Sequence, residues 1–334
     1  YANASSPVVG PVEGPKVDDS PPPVDDELQG ASVAGLGSVA FGIVAAILPV
    51  FLLGSLSIEI RSELGYGEAT AGLVLAAFFA ASAVVSSRIG RVIDRIGPRR
   101  GLSTALSGVV VLQLTIGGVA RHPALLALLA AAAGICNATA QLSANVFIAR
   151  DLPLHRQGLG FAVKQSAMPG ASLVAGLALP AIALTLGWRW VFVLGATVAG
   201  AAMLLVRHRL PVDEPRSRAH ARAAAQEDPP PRGALGSLAV AAAFSTAAAI
   251  TLGGFFVESA IDAGIDTGIA GLAFAAGSLI SIVVRLGVGV VADRRPGNLL
   301  GVVAAMIALG ALTSVWFTWR SPAVQLIGVP LAFG

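Results

Sequence analysis

Apolar runs close to membrane-spanning length, separated by short polar breaks, set the pattern of this 334-residue chain. They cover Ala31 to Ile58, Ala69 to Ser87, Gly101 to Ala120, Pro123 to Ile148, Gly158 to Leu186, Trp190 to Val206, Ala234 to Val257, Thr267 to Val291 and Leu299 to Phe317. A tenth has barely begun where the sequence stops at Gly334. Crossing the hydrocarbon core takes about 20 apolar residues at ~1.5 Å rise each. Lipid offers no water to an open backbone, so each run is expected to be a helix. The pattern predicts an all-α polytopic membrane protein of about ten helices, the last ones truncated.

Two polar segments divide the chain. Residues 1–30 are rich in Pro, Ser, Asp and Glu, with Lys16 as the single basic residue. Such a segment buries too little apolar surface to offset its ordering entropy, and a disordered tail is expected. It lacks the positive start of a cleaved signal peptide, so the first run is expected to be retained. Residues 207–233 carry six arginines, several acids and the run Pro229, Pro230, Pro231. This composition predicts a solvated linker between a six-helix bundle, 31–206, and an incomplete second bundle, 234–334. A start without methionine and an end inside an apolar run lead us to expect a piece of a longer protein.

Composition sharpens the membrane expectation. Residues are 55% hydrophobic and 12% charged, whereas soluble domains carry roughly 25% charge; mean hydropathy is +0.79. Ala and Gly dominate the apolar runs, which suits close helix packing. The net charge of +3 does not indicate nucleic acid, because the basic residues sit between apolar runs without interleaved aromatics. They instead predict orientation. Alternate breaks hold fifteen arginines, among them Arg88, Arg150, Arg156 and the six of the linker, against four, Arg61, Arg121, Arg189 and Arg320, in the others. The arginine-rich breaks, the linker and the N-terminal tail are therefore expected in the cytoplasm.

Candidate chemistry is sparse. Cys136 is the single cysteine, which excludes an internal disulfide and a thiolate metal cluster. His122, His155, His208 and His220 fall in breaks or at their edges without metal-ligand spacing. Neither a metal nor a cofactor is expected. No nucleophile–base pair or phosphate loop appears, which argues against an enzyme.

Polar residues inside the runs are costly and need a reason. Asn137, Gln141 and Asn145 recur every four residues, so they share one face of the fourth helix. They either line a cavity or join helices by hydrogen bonds. Lys164 and Gln165 stand near the start of the fifth run, and Arg285 lies a turn before Gly289 in the eighth. Lys164 and Arg285 either snorkel to the interface or present positive charge to an anionic solute. Glu258 closes the seventh run and is expected at the interface. Pro49, Pro169 and Pro180 are placed to kink the first and fifth helices.

An internal repeat ties these elements together. Gly90-Arg-Val-Ile-Asp-Arg-Ile-Gly-Pro-Arg-Arg100 reads as a short, stiff, basic turn between the second and third runs. Gly289-Val-Val-Ala-Asp-Arg-Arg-Pro-Gly297, between the eighth and ninth, matches Gly90, Val92, Asp94 and Arg95 at the same spacing. The two copies lie 199 residues apart, with Pro296 in place of Gly97, as expected of a duplicated architecture. A glycine there lets backbones approach, and a fixed carboxylate can accept bonds from a helix N-terminus or pair with arginine. A topology-setting turn without a gating role has the same sequence.

These residues resemble the major facilitator superfamily of secondary transporters. Its signature Gly-x-Leu-x-Asp-Arg-x-Gly-Arg-Arg or Lys is similar to Gly90 through Arg100, with Val92 for Leu and Pro98 for the first trailing base. The string Gly187-Trp188-Arg189-Trp190-Val191-Phe192 and the pair Lys164-Gln165 also resemble the family. Met168-Pro169-Gly170-Ala171-Ser172 is half of its antiporter motif. The resemblance implies a cytoplasmic gate made by Gly90, Asp94, Arg95, Gly97 and Arg99, with Gly289, Asp293 and Arg294 as the weaker copy. It implies a monomer in the cell inner membrane that moves a small solute by alternating access, with protons as a coupling ion, although no Asp or Glu stands in mid-run. The candidate cavity residues, Asn137, Gln141, Asn145, Lys164, Gln165 and Arg285, lean toward an organic or inorganic anion. An exporter of drugs or toxic compounds with the same fold and a non-transporting membrane sensor are the alternatives.

Overall fold

The computed structural model describes residues 26–178, 182–213, 236, 237, 240, 264, 265 and 267–294, with the separate positions 301, 304, 305, 308–310 and 312. The tail up to residue 25, the linker from residue 214, the tenth run, almost all of the seventh and most of the ninth lie outside the described residues, as do Pro180 and Glu258. Among the described residues every regular element is helical: α1 (Asp26–Ser55), α2 (Ser57–Leu64), α3 (Glu68–Ile96), α4 (Pro98–Val119), α5 (Pro123–Asp151), a 3-10 turn (Leu154–Arg156), α6 (Gln157–Gln165), α7 (Ala167–Ala178), α8 (Leu184–Leu186), α9 (Trp188–Arg209) and α10 (Thr267–Arg294). Among the described residues six segments are long and apolar enough to cross a bilayer: Ala34–Ser55 of α1, the whole of α3, α4, α5 and α9, and Ala276–Arg294 of α10.

Hydropathy located the helices better than their ends. The second run was expected to stop at Ser87, yet α3 continues to Ile96 and carries Gly90 to Arg95 on its last turns. Lipid solubility ends where the arginines begin, but the backbone keeps its internal bonds in water too, and long arginine side chains tolerate the interface. The stop is set by Gly97 at φ +88, a conformation that L side chains rarely adopt. Pro98 then opens α4 at a position where its missing N–H goes unused. The motif expected to be a basic turn is thus helical, with one residue turning.

The fifth run was expected as one span and is instead broken. Pro169 has no N–H for the carbonyl of Gln165 and its ring crowds that group, so α6 stops at Gln165 and α7 begins at Ala167. Bonds from Ser166 N to Ala162 O (2.9 Å) and from Gly170 N to Ser166 O (3.1 Å) bridge the break. Pro49 does not interrupt α1. At the other boundaries, α1 starts at Asp26, inside the expected tail, and α9 continues three residues into the expected linker.

Helix α1 is the axis of the described bundle. About three quarters (72%) of its apolar window is buried, against 11% for α3, and it packs on α4, α5, α7 and α9. The absence of a polar face on α1 follows from being enclosed on several sides. Helix α3 lies along α5, α4 sits between α5 and α9, and α10 packs on α6 and α7. The α3–α5 contact closes to backbone distance at Gly134, where the Phe78 carbonyl occupies the space a Cβ would need. Two apolar clusters fill the interior. One, around Leu52, Phe78, Leu126 and Phe192, lies toward α2; the other, around Ile43, Leu102, Phe147 and Val206, lies toward the arginine-rich end.

Candidate functional site

The second copy of the repeated motif makes the most specific contact at the arginine-rich end. Spacing of four puts Arg285, Gly289 and Asp293 on one face of α10. Asp293 accepts from the first backbone N–H groups of α6, Gly158 N at 2.7 Å and Leu159 N at 2.8 Å. Those N–H groups have no partner within their own helix, and the helix dipole favours a negative charge beside them. One turn back, Gly289 lets α10 lie directly on α6. A Cβ there would meet the Ala162 side chain, the Gly158 carbonyl (2.9 Å) and Leu159 Cα (3.1 Å). Carboxylate and glycine thus fasten a helix from late in the chain to one from its middle. Arg294, the last residue of α10, is exposed.

The first copy is arranged differently. Asp94 pairs with Arg150 at the end of α5, at 3.3 Å, with half of its side chain exposed. Arg95 is exposed, and a Cβ on Gly90 would meet nothing within 4 Å among the described residues. The α4 N-terminus that follows the motif is held by Asp213, which accepts from Arg99 N at 3.0 Å and Arg100 N at 2.7 Å. The Arg99 guanidinium donates to the Arg207 carbonyl at the end of α9. Gly97 leaves room for the Asp213 side chain. Sequence reading assigned Asp213 to a solvated linker; an acid among arginines gives no sign that it will cap a helix 113 residues earlier.

The candidate cavity residues separate into two groups. Lys164 is 8% exposed, and its ammonium donates to Asn145 Oδ1 at 2.8 Å, which joins α6 to α5. Gln141 and Asn137 continue the α5 stripe one and two turns away; Gln141 is half-buried, and Asn137 is buried with its Oδ1 unpartnered among the described residues. Gln165 does not share the Lys164 environment. It lies three residues beyond Ala162, on the α10-facing side of α6, and is exposed. Arg285 is half-buried and donates from Nε to Ser281 Oγ at 3.1 Å. Continued by one turn, the antiparallel contact of Asp293 with Gly158 and of Gly289 with Ala162 sets Arg285 level with Gln165 and Ser166. Among the described residues no three His, Cys, Asp or Glu side chains form a group that could hold a metal.

At the opposite end a clamp forms that sequence analysis only half anticipated. Glu63 of α2 accepts from Trp188 Nε1 at 2.6 Å and from Arg189 Nη2 at 2.7 Å. Arg189 also donates to the carbonyls of Gly117 (3.2 Å) and Ala120 (3.1 Å) at the end of α4, and its guanidinium lies over the Trp188 ring. The Arg189 hydrogen bond, opposed by burial, holds the Glu63 carboxyl below its ordinary range. The Trp-Arg-Trp string was a visible signal; Glu63 had none.

A cavity of about 450 Å³ opens at the arginine-rich end, lined by Arg99, Arg100, Ser103, Thr104, Arg207 and Asp213 among others. None of the predicted stripe residues lines it. Comparison with known proteins supplies the frame for these contacts. The family model described as Major Facilitator Superfamily matches residues 31–334, whereas no curated protein matches the chain. Proteins of this family are transporters rather than enzymes and bind small-molecule substrates within the membrane. With nearly the whole sequence covered, and with an all-helical structure whose span-length helices pack as described, the chain belongs to the major facilitator superfamily and is a multi-pass membrane transporter.

Proposed function

We propose that the protein is a secondary active transporter that moves a small organic or inorganic anion across the cytoplasmic membrane by alternating access. The observation that carries the anion is Lys164: a cation 8% exposed whose hydrogen-bond partner, Asn145, is neutral. A buried charge is expensive unless compensated, and an anionic solute would supply the compensation. Half-buried Arg285, with neutral Ser281 as its partner, adds a second positive group on the α10 side of α6.

Alternating access requires two halves that part and rejoin. The proposed halves are the bundles 31–206 and 234 onward, with the linker, the N-terminal tail and both motif copies in the cytoplasm. The Asp293–α6 contact is then a cytoplasmic latch, made when the inner side is closed and broken when it opens. Protons are the proposed coupling ion, on family resemblance, and the monomer is the proposed unit.

Counterflow in proteoliposomes with a panel of anionic, neutral and cationic solutes, under an imposed proton gradient, tests this. An anion should exchange in the wild type, faster with an inward proton gradient, and stop in Lys164→Met. Export of hydrophobic cations at the wild-type rate by Lys164→Met would refute the anion and favour a drug exporter. Absence of counterflow for every solute would favour a sensor.

A further inference from the structure

The cavity of about 450 Å³ at the arginine-rich end is not used by the proposed transport cycle. Its chemistry is that of an anion site. The N-terminus of α4, a helix of 22 residues, opens toward it, and the backbone N–H groups of Arg99 and Arg100 already hold a carboxylate there, that of Asp213. Three arginines, Arg99, Arg100 and Arg207, are among the residues that line the cavity, with Asp213 as the one acid, so positive charge is in excess. One turn into α4, Ser103 also lines the cavity. It is 6% exposed, and its Oγ is buried without a hydrogen-bond partner among the described residues. An unpartnered buried hydroxyl is costly, and beside an arginine-rich helix N-terminus it suits a tetrahedral oxyanion with several acceptor oxygens.

We propose that this cavity binds a phosphate group, with Arg100, Arg207 and the Ser103 hydroxyl as its ligands and Asp213 as a built-in competitor for the α4 N-terminus. A carboxylate brings two acceptor oxygens to the N–H pair. A phosphate brings more acceptors and more charge, and can reach the arginines and Ser103 together. Binding would displace Asp213 and free the start of the linker from α4. The phosphate can belong to an anionic phospholipid at the membrane surface or to a soluble phosphate.

Two arms separate these sources. The full chain, in nanodiscs of neutral phosphatidylcholine, is titrated with inorganic phosphate and followed by thermal unfolding; the detergent-solubilised chain is assayed by native mass spectrometry for retention of phosphatidylglycerol over phosphatidylcholine. The expected result in one arm or both is binding that strengthens on the order of tenfold in Asp213→Ala, as the competitor is lost, and weakens at least as much in Arg100→Ala and Ser103→Ala. A response confined to inorganic phosphate assigns a soluble ligand; one confined to phosphatidylglycerol assigns a lipid headgroup. Should Asp213→Ala fold poorly, Asp213→Asn, which keeps one acceptor, gives a smaller gain of the same sign. No response in either arm, or one indifferent to Arg100 and Ser103, overturns the proposal.

Discussion

Removing the Asp293 carboxylate should open the arginine-rich end, by an amount set by the contact itself. Asp293 accepts two hydrogen bonds, at 2.7 and 2.8 Å, from N–H groups with no partner in their own helix. Loss of a capping side chain costs about 0.5–2 kcal/mol, and the charge–dipole contribution of an exposed group adds about 0.3–1 kcal/mol. Asp293 is half-buried and water can replace part of what is lost, so about 1.5 kcal/mol is a reasonable total for Asp293→Ala. If the contact exists in only one of two conformations, that energy changes their ratio by roughly tenfold. Asp293→Asn keeps one acceptor oxygen and should move the ratio about half as far on a logarithmic scale.

Spin labels or fluorophores placed on exposed positions at the arginine-rich ends of α6 and α10, in a Cys136→Ala background, report the ratio as a distance distribution. The expected result is growth of a long-distance population, graded from wild type through Asn to Ala. Arg121→Ala, an exposed change at the opposite end, should leave the distribution unchanged. If Asp293→Ala moved the populations no more than Arg121→Ala does, the carboxylate would be a surface cap without influence on the opening.

Gly289→Ala should widen the same gap by a steric route, because its Cβ would meet backbone atoms of Gly158 and Leu159, which cannot rotate away as a side chain could; unchanged distances would show that α6 shifts freely. The Glu63 carboxyl lies below its ordinary value of 4.5 in the folded protein, so its contribution is fully present above that value and is lost as pH falls through the folded pKa. The unfolding midpoint of the wild type should thus exceed that of Glu63→Gln at pH 7, by an amount small for a half-exposed pair, and the two should converge in acid. Gln113 of α4 is fully buried against Gly195 of α9, with both amide atoms unpartnered among the described residues. Gln113→Met keeps its length and removes two unsatisfied groups worth about 1–3 kcal/mol each, so the unfolding temperature should rise; a fall would mean that the amide is satisfied in the membrane.

What could be read from the sequence follows from which interactions are local. Long runs without charge specify helices because lipid admits almost nothing else, and the runs that became α3, α4, α5, α9 and α10 were located to within a few residues at most ends. The exceptions have local causes that compete with hydropathy. Pro169 divides the fifth run through one missing N–H, and the second helix outlasts its apolar stretch until Gly97 stops it. Repeated Gly and Asp positions marked the Asp293 contact in advance, because identical spacing 199 residues apart needs only the sequence to be seen. The carboxylates Glu63 and Asp213 could not be found that way. Each acts on atoms more than a hundred residues distant, and its role depends on a fold that places a helix end or a guanidinium beside it.

The two motif copies also show why sequence likeness and contact likeness differ. Asp94 and Asp293 share a Gly, a Val and an Arg at the same spacing, yet one pairs with Arg150 and the other caps α6. At the first copy a different acid, Asp213, performs the capping, and it acts on α4, the helix that follows the motif. Both ways of using a carboxylate satisfy helix N-terminal N–H groups, but they connect different parts. The Asp213 bond ties the chain just after α9 to α4, both within the proposed first bundle, so it can persist while the proposed halves move. The Asp293 bond joins α10 to α6, and any motion that separates those helices must break it. Of the two, only the Asp293 contact can favour one state of the proposed cycle over the other, because a bond common to both states cancels from their difference.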